Sequence, residues 1–162
     1  MRSPRRPTPP TPVARLVALR LLSRRDYTAA ELRTTLSARH YPQEEIDQTV
    51  DRLITERVLD DRRVAATHLR RAATIKGRGR LRIQRELEAR GIDRALIRDL
   101  LAGLSADDEA SAIERFLARK ELPARLGHAD RRRLVQQLLR RGFPAEAIAT
   151  ALRRRGAGED ET

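Results

Sequence analysis

Three stretches of this chain superimpose without gaps at a spacing of 51 residues: ELRTTLSARHYPQEEIDQTV, RIQRELEARGIDRALIRDLL and RLVQQLLRRGFPAEAIATAL. Leu32, Ile83 and Leu134 anchor them, Leu36, Leu87 and Leu138 follow four residues later, and Tyr41, Ile92 and Phe143 share the next apolar position. Ile46, Ile97 and Ile148, then Val50, Leu101 and Leu152, complete the series. Apolar residues four apart give a helix one buried stripe, so each stretch predicts a helix, a tight turn and a second helix. Gly91 and Gly142 fall where the chain leaves the first helix and needs a left-handed residue, and His40 holds that place in the first stretch. Pro42, Asp93 and Pro144 then open the second helix, and TAAE at residues 28–31 is a capping-box pattern.

Before each pair lies a further helical stretch, predicted over residues 12–24, 60–75 and 106–121, the last two opening on the acidic pairs Asp60/Asp61 and Asp107/Asp108. Negative charge favours a helix N-terminus, so capping accounts for both pairs. The expected fold is all-α: three tandem three-helix repeats, nine helices in all, stacked as an elongated, curved array, because a unit of roughly 45 residues buries too little surface alone. The domain reading is a disordered basic tail over 1–11, repeats over 12–57, 58–104 and 105–154, and a disordered acidic tail over 155–162. Aromatic residues are limited to Tyr27, Tyr41, Phe116 and Phe143, which points to leucine- and alanine-rich helices rather than sheets.

Several chemistries find no residues to carry them. Cysteine is absent, which excludes disulfides and thiolate metal sites and suits a reducing cytoplasm. His40, His68 and His128 lie one in each third of the chain, so no metal centre, catalytic residue or cofactor site is expected, and the protein is read as a non-enzyme. The opening MRSPRRPTPPTP has no apolar run, so neither a secretion signal nor a membrane anchor is expected there.

The formal net charge is +12, carried almost wholly by arginine, with Lys76 and Lys120 the only lysines. A field of that sign draws phosphate polymers and acidic protein surfaces. Residues 60–90 hold ten Lys or Arg against four Asp or Glu, half of the net charge. Within them, TIKGRGRLRIQREL has Gly77 and Gly79 one residue apart, Lys76 ahead of them and no hydroxyl after them, which excludes a nucleotide-binding phosphate loop. The glycines are read as freeing the backbone at a turn. If Ile83 and Leu87 face inward, Arg82 and Arg85 lie opposite, and with Lys76, Arg78 and Arg80 they form the candidate contact set, a basic ridge able to meet phosphates or carboxylates.

LDDRRVAATHLRRAATIKGRGRLRIQRELEARGID, residues 59–93, resembles the signature of the RecX family of bacterial recombination regulators: Asp60 and Asp61, a basic helix, Lys76-Gly77-x-Gly79, Ile83-x-x-Glu86-Leu87 and Gly91. LLSRRDYTAAELRTTL in the first repeat and LLRRGFPAEAI in the third, with Gly142, extend the resemblance over residues 13–154. The resemblance implies a monomeric cytoplasmic modulator, mainly an inhibitor, of the RecA recombinase in DNA repair and the SOS response. Such a protein binds the RecA–DNA filament, with possible direct contact to DNA phosphates, and suppresses ATP hydrolysis, strand exchange and filament growth. The alternative on charge alone is a general basic helical DNA-binding protein acting through phosphate contacts.

Overall fold

The computed structural model describes residues 13–120, 122 and 126–157. The tail expected over 1–11 and residues 158–162 of the acidic tail lie outside them. Among the described residues there are nine α-helices: α1 Val13–Leu22, α2 Ala29–Ser37, α3 Gln43–Thr55, α4 Asp61–Arg70, α5 Arg80–Ala89, α6 Arg94–Ala102, α7 Ala106–Ala118, α8 His128–Arg140 and α9 Ala145–Ala157. No helix among them is long and apolar enough to cross a membrane.

Each repeat builds its own core. The first gathers Ala18, Leu21, Leu32, Leu36, Ile46, Val50 and Leu53; the second Ala65, Ala72, Ile83, Leu87, Ile92 and Ile97; the third Ile113, Leu117, Leu134, Leu138, Phe143 and Ile148. All the residues equivalent at the 51-residue spacing are buried except Tyr41, which packs partly exposed against the first core. Full burial of a leucine or isoleucine contributes about 1.5–3 kcal/mol, so these stripes supply most of what orders the helices.

The turn chemistry follows the same spacing. His40, Gly91 and Gly142 have φ of 63°, 74° and 86°. With the chain in that left-handed state, the next N–H reaches back to the last turn of the helix: Tyr41 to the Leu36 carbonyl at 3.4 Å, Ile92 to Leu87 at 3.1 Å and Phe143 to Leu138 at 3.2 Å. Arg57, with φ of 56°, does the same after α3 by directing the Val58 N–H to the Leu53 carbonyl at 3.0 Å. Nothing in the sequence singles Arg57 out.

Several helix starts are capped by nearby oxygens. Thr28 Oγ1 accepts the Glu31 N–H at 3.0 Å and Glu31 Oε2 accepts the Thr28 N–H at 3.1 Å. Asp93 Oδ1 accepts from the Ala95 and Leu96 N–H groups. Ser105 and Asp108 form a second reciprocal pair, and hydrogen bonds from the Ser105 side chain and backbone hold the Asp108 carboxyl below its usual pKa.

Helix α1 covers Val13–Leu22 of the stretch predicted over 12–24, and other extents differ further. The stretch over 60–75 is α-helical only to Arg70; Arg71–Ile75 is a π-helical turn in which the Lys76 N–H reaches the Arg71 carbonyl at 3.2 Å. The wider turn leaves Ala72 buried and Ile75 71% exposed. The stretch over 106–121 stops at Ala118. Helix α9 runs to Ala157, past the expected repeat end at 154, with Arg154 and Arg155 in its last turn, where positive charge complements the free carbonyls.

The chain parts into two compact units, residues 1–64 and 65–162, the division falling inside α4. The second repeat from Ala65 onward therefore falls in the same unit as the third. In the first unit α1 and α2 both lie against α3, and the Glu45 carboxylate accepts the Ala14 N–H at the start of α1 at 3.0 Å. In the second unit α5 packs on α6, and α7 and α8 both pack on α9.

Candidate basic interface

The segment between the π-helical turn and α5 is built by backbone proximity more than by flexibility. Gly77 is left-handed, with φ of 55°, as a turn requires. Gly79 is extended, with φ of −79°, and its N–H donates to the Arg141 carbonyl at 2.9 Å while the Leu81 N–H donates to the Gly142 carbonyl at 3.0 Å. A Cβ on Gly79 would lie 2.4 Å from the backbone of Gly142 and Phe143, and one on Gly142 would lie 2.3 Å from the Arg82 nitrogen. The expectation that both glycines merely free a turn is thus corrected at Gly79. There the missing side chain lets the start of α5 touch the α8–α9 turn, fastening the second repeat to the third.

The arginines around these glycines are largely engaged. Arg80 Nε donates to Glu109 Oε2 at 2.9 Å, its backbone N–H donates to Glu109 Oε1 at 3.2 Å, and its Nη2 reaches the Leu104 carbonyl at 2.7 Å. Glu109 is 7% exposed and sits on α7, so one carboxylate answers both the orphan donor at the α5 N-terminus and a half-buried guanidinium. Glu86 does similar work on α5. It pairs with Arg78, accepts from Arg82 Nε at 3.0 Å, and faces His68 Nε2 at 2.9 Å. Arg82 also reaches the Arg140 carbonyl at 3.3 Å. Ile83 and Leu87 face inward, Arg85 is exposed with its Nε on the Leu81 carbonyl, and Lys76 is exposed. The five residues of the candidate ridge are therefore not equivalent: Lys76 and Arg85 project, whereas Arg78, Arg80 and Arg82 hold elements of the fold together.

Partial burial raises the pKa of Glu86, but hydrogen bonds from Arg82, His68 and Arg78 outweigh it and hold the carboxyl below its ordinary value of 4.5. A carboxyl depressed in the folded state adds stability that is complete above its unfolded pKa and is lost as pH falls through the lower folded value. The melting temperature of the natural chain is expected to fall more steeply below 4.5 than that of Glu86→Gln. Parallel melting curves across that range, followed by circular dichroism, would contradict the assignment.

The other motif residues act as caps. Asp60 Oδ1 accepts the Arg63 N–H at 3.0 Å at the start of its own helix, whereas Asp61 Oδ1 accepts the Ala29 N–H at 2.8 Å and caps α2 instead. The pair thus serves two helix starts rather than one.

Sequence reasoning passed over a second basic cluster in the same unit. Lys76, Arg115, Arg119, Lys120 and Arg141 line a groove of about 240 Å³ beside the π-helical turn, with Phe116 in its wall. Arg141 Nη1 donates to the carbonyls of Lys76 at 3.1 Å and Gly77 at 3.4 Å. The Arg141 guanidinium lies 4.7 Å, and Lys120 Nζ 5.0 Å, from the Phe116 ring centre. The four-residue spacing of Arg115 and Arg119 was the only sign of it along the chain. Among the described residues no group of three or more His, Cys, Asp or Glu is placed to hold a metal ion.

Comparison with known proteins covers most of the chain. The first three-helix domain of RecX matches residues 14–53 and the second three-helix domain matches residues 60–101. The Regulatory protein RecX of Mycobacterium ulcerans is 37% identical over 133 residues, covering 80% of this chain and 77% of the relative. That of Trichlorobacter lovleyi is 36% identical over 140 residues, covering 82% and 89%. The crystal structure of RecX from Lactobacillus salivarius superimposes with a TM-score of 0.74 at 19% identity, covering 87% of this chain and 93% of that one, a likeness of fold.

Proposed function

This chain belongs to the RecX family of regulatory proteins, and on that premise we propose that it modulates the RecA recombinase, mainly as an inhibitor. It binds the RecA–DNA filament in the cytoplasm during DNA repair and the SOS response, and suppresses ATP hydrolysis, strand exchange and filament growth by binding, without catalysis of its own. The observation that carries this reading is the match of both RecX three-helix domains in order along the chain, with relatives more than 30% identical over most of their length. The net charge of +12 supports a partner that presents phosphates or acidic surface. Lys76, Arg78, Arg80, Arg82 and Arg85 are the proposed contact set on and before α5. Lys76 and Arg85 are its outward members, and the other three contribute through the edges that their carboxylate partners leave open.

Sedimentation of the chain with RecA assembled on single-stranded DNA, compared with RecA lacking DNA and with bare DNA, tests the reading at two salt concentrations. Retention on filament beyond that on bare DNA is expected. Equal retention on both, lost steeply with salt, would instead favour a general DNA-binding protein acting through phosphates.

A further inference from the structure

We propose that the groove bounded by Lys76, Arg115, Arg119, Lys120 and Arg141 is a binding site for consecutive phosphates of a nucleic-acid strand. Five cations surround a space of about 240 Å³, and among the described residues no carboxylate lines it. Elsewhere in this unit several arginines meet a carboxylate: Glu86 takes Arg78 and Arg82, and Glu109 takes Arg80. Leaving five like charges together opposes folding, and an anionic ligand reverses that opposition.

The groove is also preorganised. Arg141 is fixed by two carbonyls of the turn at Lys76 and Gly77 and by the Phe116 ring, so its fork loses little freedom when it meets a phosphate. Gly77 takes part directly, because its left-handed conformation shapes the turn that presents those carbonyls. Arg115 and Arg119 stand one helical turn apart on α7 and its C-cap, a spacing of about 6 Å that matches neighbouring phosphates along a strand. The Phe116 ring is already engaged by Arg141 and Lys120, so the site reads backbone phosphates rather than stacking on bases, and binding is tolerant of sequence.

The test is fluorescence anisotropy of a labelled single-stranded oligothymidylate titrated with the full chain across a salt series. Arg115→Gln with Arg119→Gln is expected to weaken binding about tenfold and to lower the salt slope by about 1.4, at roughly 0.7 per phosphate contact on single strands. Arg94→Gln with Arg98→Gln, on α6, removes the same charge away from the groove and is expected to change little. Should the α7 pair disturb folding, Lys76→Gln with Lys120→Gln gives the same reading from two other cations of the groove. Equal losses from groove and α6 pairs, displacement of the oligonucleotide by polyglutamate at equal charge, or no binding by the natural chain would each overturn the site. The site does not rest on the RecA reading. Failure to hold bare oligonucleotide while filament ATP hydrolysis is still suppressed would remove the groove alone, and the converse would remove the regulator alone.

Discussion

Replacing Gly142 by alanine is expected to destabilise the second unit by about 3 kcal/mol. Two effects add. Its φ of 86° places a non-glycine residue in the left-handed region, at a cost of about 1 kcal/mol. The new Cβ would lie 2.3 Å from the Arg82 nitrogen and 2.4 Å from the Arg82 Cβ, so α5 must retreat from the α8–α9 turn; overpacking of that kind costs about 1–3 kcal/mol. Gly91→Ala separates the two effects. It has the same left-handed turn position in the second repeat, with φ of 74°, but is exposed, so it is expected to lose only the first contribution. Urea denaturation of both variants measures the difference, and equal losses would mean that the close approach of the two repeats contributes nothing.

Removal of the Glu109 carboxylate is expected to cost about 2–4 kcal/mol in Glu109→Ala, because it leaves a half-buried guanidinium and the first N–H of α5 without their acceptor. Glu109→Gln keeps one acceptor oxygen and is expected to lose less. Combining Glu109→Ala with Arg80→Ala closes a double-mutant cycle whose coupling should reach about 1–2 kcal/mol. Additive losses would contradict a direct clasp. The consequence reaches function: a filament-binding defect on substitution of Arg80 has to be judged against the stability of the same variant.

Much of this fold is legible in the sequence, for a physical reason. Burial repeats with the helix period, so Leu36, Leu87 and Leu138 announce three equivalent cores, and the need for a left-handed residue after a helix marks Gly91 and Gly142 and, by position, His40. These constraints act over a few residues and leave their pattern along the chain. What was illegible depends on pairs far apart in sequence. Gly79 meets Gly142, Arg80 meets Glu109, and Arg141 closes a groove against Lys76 and α7, and none of these pairs has a local signature. The helical wheel of α5 orients the side chains of the basic ridge but does not show which carboxylates arrive opposite them. Glu86 was visible as a motif residue; its gathering of Arg78, Arg82 and His68 was not.

Restraint of RecA on DNA by this chain is tested most directly by the rate of ATP hydrolysis by RecA preassembled on single-stranded DNA, measured as the chain is titrated in. The rate is expected to fall with added protein and to stay depressed at saturation. Hydrolysis that continues undiminished at saturating protein would contradict it.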